Sequence, residues 1–198
     1  MVTKGIKNIF LSASVPLPER DPKFFQTADI IAIREAVIAL TSVVLPHHCL
    51  IWGGHTSITP LIYYVMEKRN LNVGDHVKLY QSKFFEESFL EDNNKFKNVV
   101  LTDVVGDQEK CLAYMRKRMF DDNSFSAAIF IGGMEGIEIE YRMFIEKFPD
   151  AIILPIASTG GATKLIYDNI VPEGIKNERF VKDYGYMSLF QKFLIDKL

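Results

Sequence analysis

Only two cysteines, Cys49 and Cys111, occur in the 198 residues. Neither the disulfide framework of a small secreted domain nor a metal-binding cysteine array can be built from them, so reduced thiols in a cytoplasmic protein are expected. Long apolar runs are lacking as well. Nothing approaches the roughly 20 residues that cross a bilayer, and the run Ile9 to Leu11, which follows Lys4 and Lys7, is too short for a secretory leader. No membrane partner is therefore expected. Charge of one sign is not in excess: with 23 basic and 25 acidic residues the formal net charge is −2, which gives no global attraction to nucleic acid or to an anionic surface. Low-complexity segments, heptads, repeats and Pro/Ser/Gly-rich linkers are also missing. Nothing in the spacing of cysteine, histidine and carboxylate asks for a metal or a cofactor.

What the chain has in quantity is apolar side chains, 48% of the sequence, enough to bury a substantial core in one domain spanning residues 1–198. Short β-branched and aromatic runs alternate with helical periodicity. The pattern predicts strands at Asn8 to Leu11, Cys49 to Trp52, His76 to Tyr80, Asn98 to Leu101, Ala127 to Ile131 and Ala151 to Pro155. Between and after them it predicts helices at Ala28 to Leu45, Ser57 to Arg69, Gln108 to Phe120, Glu135 to Phe148, Ala162 to Asn169 and Tyr186 to Lys197. The polar stretches Glu91 to Lys97 and Pro172 to Lys182 read as surface loops. Strands joined through helices of this length form crossovers, so the expected fold is α/β and Rossmann-like, a mostly parallel sheet with helices on both faces.

Gly53-Gly54, Gly132-Gly133 and Gly160-Gly161 each fall where a buried-strand run gives way to a helical pattern. A glycine there admits positive φ and close approach of a ligand, and the helix that follows offers unpaired amides at the positive end of its dipole. In a parallel sheet ligands bind outside the carboxyl ends of the strands, where all these pairs would lie. Ser12 and Ser14 end the first strand and could give hydroxyl donors to phosphate. The segment containing His55, Thr56 and Ser57 reads as a phosphate loop, without the Gly-Lys-Ser/Thr ending of a triphosphate-hydrolysing loop or the GxGxxG of a hydride-transfer dinucleotide fold. Ser158 and Thr159 precede the last pair. Arg34, on an otherwise apolar helix, is either an anion-binding arginine or one that reaches solvent or pairs with Asp29 or Glu35.

The second pair opens a segment rich in carboxylates, Gly132-Gly133-Met134-Glu135-Gly136-Ile137-Glu138-Ile139-Glu140. Residues two apart on a helix point roughly 200° apart, so Glu135, Glu138 and Glu140 cannot share one face. Acidic residues near a helix start are stabilised by the dipole. A carboxylate facing the pocket would instead grip ribose hydroxyls or stabilise an oxocarbenium-like centre.

These segments resemble the SLOG superfamily, the Rossmann-like group that includes the LOG or lysine decarboxylase-like phosphoribohydrolases, the Smf/DprA domain and ligand sensors of bacterial conflict systems. In LOG enzymes a glycine-rich loop and a later PGGxGTxxE signature form the nucleotide site. Gly53 to Ser57 is similar to the first and Gly132 to Glu140 to the second, with Ile131 in place of the proline, one residue inserted before Gly136 and Ile137 in place of the threonine. Counted from Gly136, Glu140 holds the position of the signature glutamate. No arginine close before Gly132 fills the role of the LOG catalytic arginine.

The run Ile153 to Ala162 is similar to SLOG domains associated with TIR and sirtuin-like effectors in antiphage systems. That resemblance implies sensing of an NAD-derived nucleotide, ADP-ribose or a cyclic ADP-ribose-like signal, with a TIR or sirtuin-like effector as partner. The residues implied as binding are Ser12, Ser14, Gly53, Gly54, His55, Thr56, Gly132, Gly133, Glu135, Gly136, Glu140, Ser158, Thr159, Gly160 and Gly161. The alternative is a LOG-like nucleotide N-glycosidase or deoxyribosyltransferase-like enzyme with Glu140 as its catalytic residue. A third reading makes the chain a scaffold, in which Tyr184, Tyr186, Phe190 and Phe193 either pack in the core or form a homo-oligomer interface.

Overall fold

The computed structural model describes residues 5–20, 22–69, 76–89 and 91–198; Lys4 lies outside them. Its sheet has six strands, all parallel: β1 Asn8–Ser14, β2 Cys49–Trp52, β3 Val77–Ser82, β4 Val99–Thr102, β5 Ala127–Gly132 and β6 Ile152–Ile156. The spatial order is β4-β3-β2-β1-β5-β6. The helices are α1 Pro22–Phe25, α2 Ile30–Val44, α3 Thr59–Lys68, α4 Gln108–Asp121, α5 Glu135–Lys147, α6 Gly161–Asn169, α7 Arg179–Lys182 and α8 Tyr186–Phe193. This is the expected Rossmann-like α/β architecture.

Strand alternation sorts the core into two layers. Ile9, Leu11, Leu50, Trp52, Leu79, Ile129 and Ile131 point to one face, where α2 and α8 contribute Ile33, Val37, Leu40, Leu189 and Phe190. Phe10, Ile51, Tyr80, Ala128 and Phe130 point to the other, against Met115 and Phe120 of α4, Tyr141 and Phe144 of α5 and Ile166 of α6. Both faces of a parallel sheet must be covered, which is why its strands read as continuous apolar runs. The second layer is largely aromatic: Phe10 stacks on Phe144 with ring centroids 5.6 Å apart and meets Phe120 edge-on at 5.0 Å.

Some elements differ from the sequence reading. β1 runs on to Ser14 because Ser12, Ala13 and Ser14 stay in register with Phe130, Ile131 and Gly132 of β5. Small hydroxylated side chains do not stop a strand whose backbone keeps a partner, here on the β5 side alone once pairing with β2 has ended at Leu11. The C-terminal helix ends at Phe193, followed by a 3-10 turn at Ile195–Lys197. Tyr186 and Phe190 are buried and Tyr184 is exposed, so half of the aromatic set considered for an interface is core. Glu91–Lys95 forms a 3-10 turn with Asn93 buried, and Phe180 of α7 is buried too; both polar stretches read as surface loops are anchored inward.

The ends of β5 and β6 are clasped together. Gly132 N–H donates to Thr159 Oγ1 at 2.8 Å, while that hydroxyl donates to the Ile156 carbonyl at 2.5 Å. Thr163 Oγ1 donates to the Gly132 carbonyl, Ala162 N–H to the Gly133 carbonyl, and Gly133 N–H to the Ser14 carbonyl. Gly160, at φ 70° and ψ −152°, occupies backbone space open almost only to glycine, and a Cβ there would sit 1.7 Å from the Thr27 carbonyl oxygen. Thr159 is completely buried. Thr159→Ala should therefore lower stability by about 1–3 kcal/mol by leaving the Gly132 N–H unsatisfied, with Thr159→Ser close to wild type. Denaturant unfolding followed by circular dichroism measures both; equal stability of wild type and the alanine variant would dismiss the clasp.

Candidate functional site

The chain reverses its direction of travel across the sheet at β1, since β2, β3 and β4 lie on one side of it and β5 and β6 on the other. At such a switch point the loops leave the strand ends in opposite directions and open a crevice. A cleft of about 330 Å³ lies here, over the carboxyl ends of β1, β2 and β3 and beside the starts of α4 and α5. Its volume is at the lower end of the about 300–1,000 Å³ of small-molecule sites.

At the β1 end, Glu140 enters the cleft and both its oxygens are held. Ser12 Oγ donates to Oε2 at 2.5 Å, and Arg116 Nε, 24 residues earlier in sequence, donates to Oε1 at 2.9 Å. The arginine and glutamate side chains are only 11% and 14% exposed, so this ion pair sits in a medium where charge-assisted bonds are strong and breaking one partner away is costly. Gly136 makes room for it: a Cβ at that position would lie 3.0 Å from Arg116 Nη2. The helical arithmetic on the carboxylates is satisfied, because Glu135 sits at the rim in an exposed ion pair with Arg20 and Glu138 does not line the cleft.

Arg116 is the residue that sequence reading missed. It lies on α4, well before Gly132, and reaches the site because α4 packs beside α5 in space. Its position on the apolar side of α4, near buried Met115, was the available signal. Arg20 was also passed over. Arg34 is exposed on the outer side of α2 and does not line the cleft.

The first glycine pair lines the cleft with His55 and Thr56. Gly54, at φ 56°, leaves the space in which the Gln81 carboxamide lies: an added Cβ would be 2.9 Å from Gln81 Cγ and 3.0 Å from its Nε2. His55 Nδ1 accepts from the Ser57 amide at 3.2 Å, which assigns the proton of the neutral ring to Nε2. Burial, and after it the charge of Arg20, lower the His55 pKa below its ordinary value. The imidazole is thus a neutral hydrogen-bond donor at pH 7.

The other two pairs stand apart from the lining. Ser14 lines the cleft, but Gly132 and Gly133 lie behind it, where added Cβ atoms would strike Ile33 and Ile137. Ser158, Thr159, Gly160 and Gly161 are buried in the clasp, with Ser158 Oγ hydrogen-bonded to the Tyr186 hydroxyl at 3.0 Å. Burial pushes that phenol up to about 12. Ser12 has its hydroxyl on Glu140 and so orients that carboxylate. Among the described residues no group of three or more His, Cys, Asp and Glu could hold a metal ion, and no helix is long and apolar enough to cross a membrane.

A doubly wound parallel sheet with an anchored carboxylate in its switch-point cleft defines a ligand-binding Rossmann-like module. The chain belongs to the SLOG cluster3 family, whose model matches residues 23–194. Membership makes it a nucleotide-related ligand-binding or LOG-like module. Among curated proteins, none matches the chain.

Two outcomes check this geometry. Because folding lowers the His55 pKa, the unfolded chain binds the extra proton first as pH falls below about 6.5. His55 therefore contributes stability that is complete above pH 6.5 and is lost as pH drops through its folded value. Melting curves of wild type and His55→Asn should converge between pH 7 and pH 5, and parallel pH profiles would show that the ring is not buried. Gly136→Ala removes a glycine from the first turn of α5, which favours the helix, yet its methyl displaces the Arg116 guanidinium. The Arg116–Glu140 pair of the variant, read from the Arg Nε–H resonance by NMR, should shift; an unperturbed resonance would remove Gly136 from the site.

Proposed function

We propose that this cleft binds an NAD-derived nucleotide, ADP-ribose or a cyclic ADP-ribose-like signal, and that the protein acts as a sensor informing a TIR or sirtuin-like effector in a nucleotide-signalling system of the antiphage kind. The observation that carries the reading is the Ser12–Glu140–Arg116 network. A carboxylate fixed on both oxygens still has lone pairs to spare, and in a cleft it is a ready-made acceptor for the two hydroxyls of a ribose. Phosphate oxygens find the opening amides of α5 at Glu135 and Gly136, the Ser14 hydroxyl, the His55 and Thr56 loop and the Arg20 guanidinium, all of which line the same cleft.

Binding is favoured over turnover by the shortage of an acid. Cleavage of an N-glycosidic bond is helped by a proton donor near the leaving base. His55 is held neutral, and Glu135, the other carboxylate lining the cleft, is paired with Arg20 at the rim. One observation favours the LOG-like N-glycosidase as a second reading: Arg116 on Glu140 gives the site an arginine and a glutamate together, the pair that resemblance to LOG enzymes asks for.

Glu140→Gln separates the two. For a sensor, calorimetry with ADP-ribose and cyclic ADP-ribose should show wild-type binding that weakens in the variant by about 1.5–3 kcal/mol, the worth of hydrogen bonds to a charged group. Chromatography should then detect no free base from either protein. Base release from a nucleoside monophosphate by wild type, lost in Glu140→Gln with binding retained, would replace sensing by hydrolysis.

A further inference from the structure

Two polar atoms at the opposite end of the cleft have no partner. Gln81 Oε1 and Asn93 Oδ1 are the buried side-chain oxygens without a hydrogen bond among the described residues. Asn93 is only 6% exposed, and both side chains line the cleft. An unpaired buried carbonyl forfeits the hydrogen bond it would make with water, so it is an exception that asks for a reason. The β3 end and its connection to β4 also line this part of the cleft, with Ser82 and the half-buried rings of Phe85 and Phe89. Gly54 keeps the Gln81 carboxamide in place by having no side chain of its own.

We propose that Gln81 and Asn93 form an adenine-recognition subsite, in which each carboxamide takes one hydrogen of the 6-amino group while Phe85 and Phe89 cover the ring. The inference rests on the reading of this cleft as a nucleotide site. A carboxamide is the natural complement of adenine, its oxygen accepting from N6–H and its amino group donating to an adjacent ring nitrogen. The 6-amino group has two hydrogens, one towards N1 and one towards N7, and the cleft holds two orphan carboxamide oxygens. A 6-oxo purine puts an acceptor against both of them, a repulsive arrangement relieved only when each carboxamide turns over, so hypoxanthine and guanine are disfavoured. Each oxygen reaches the ligand by rotation about the terminal side-chain torsion, which is broad for amides. The spacing suits a nucleoside. Gln81 lies on β3 and Ser12, which holds Glu140, on β1, two strands away, or about 10 Å at the usual inter-strand distance. A ribose at Glu140 thus leaves its base over β3.

The test compares adenosine, inosine and guanosine 5′-monophosphates, together with ADP-ribose and its hypoxanthine counterpart, by calorimetry on the full chain. Wild type should prefer each 6-amino ligand by about tenfold or more, since a site built to hydrogen-bond a group discriminates against the analogue that lacks it. Gln81→Met and Asn93→Leu keep shape, remove the orphan oxygens and should melt no lower than wild type. Each should erase most of the preference while the affinity for the inosine ligands holds or rises. Equal affinity of wild type for 6-amino and 6-oxo ligands overturns the subsite and leaves the nucleotide reading standing, as does an unchanged preference in both variants. No affinity of wild type for any of these ligands or for cyclic ADP-ribose overturns both. The wild-type comparison decides the matter even if a variant fails to fold.

Discussion

The Glu140 carboxylate is the point on which the cleft is assembled. It joins three parts of the chain that are remote in sequence: Ser12 at the end of β1, Arg116 on α4 and its own helix α5. None of the three could hold its position alone. A serine at a strand end has a freely rotating hydroxyl, an arginine on a helix has many rotamers, and a glutamate facing a cavity would draw in water. Together they fix one another, and α4 and α5 are thereby tied across the ends of the strands they follow. Gly136 is part of the same device because the guanidinium lies where its side chain would be.

The fold was readable because both faces of the sheet are largely buried, so the strands, apart from β3 with its Lys78 and Gln81, appear as apolar runs and every long helix as a periodic one. β4 carries the exposed Leu101, as a strand at the edge of the sheet may. The cleft was readable in part. Gly54, His55, Thr56, Ser14, Glu135, Gly136 and Glu140 were all within reach of motif reasoning, since each sits at a strand end, in the loop after it or in the first two turns of the helix that follows, and the parallel sheet gathers those ends on one side. The pairs Gly132-Gly133 and Gly160-Gly161 show where such reasoning stops. A strand-end glycine satisfies the same local pattern whether it approaches a ligand or another loop, and here the two loops approach each other. Arg116, signalled only by its place on the apolar side of α4, and Asn93 were hard to read for the reverse reason. One stands on a charged helix and the other in a run of polar residues, and only the tertiary packing turns either of them inward.

The two ends of the cleft differ in how completely they satisfy themselves. Around β1, β5 and β6 the buried polar groups are paired among themselves, through the Ser12–Glu140–Arg116 network and the Thr159 clasp. Around β3 the wall is made of 3-10 turns, the half-buried Phe85 and Phe89, and two carboxamides whose oxygens have no partner. A ligand gains different things from each. At the satisfied end it meets a surface already organised, so little ordering entropy opposes binding. At the unsatisfied end it supplies hydrogen bonds the free protein lacks, which lowers the energy of the complex relative to a free state that had carried unpaired oxygens. A ligand that binds two arrangements of such an end unequally shifts the population between them by as much as its affinities differ, whereas the end already organised gives it less to select.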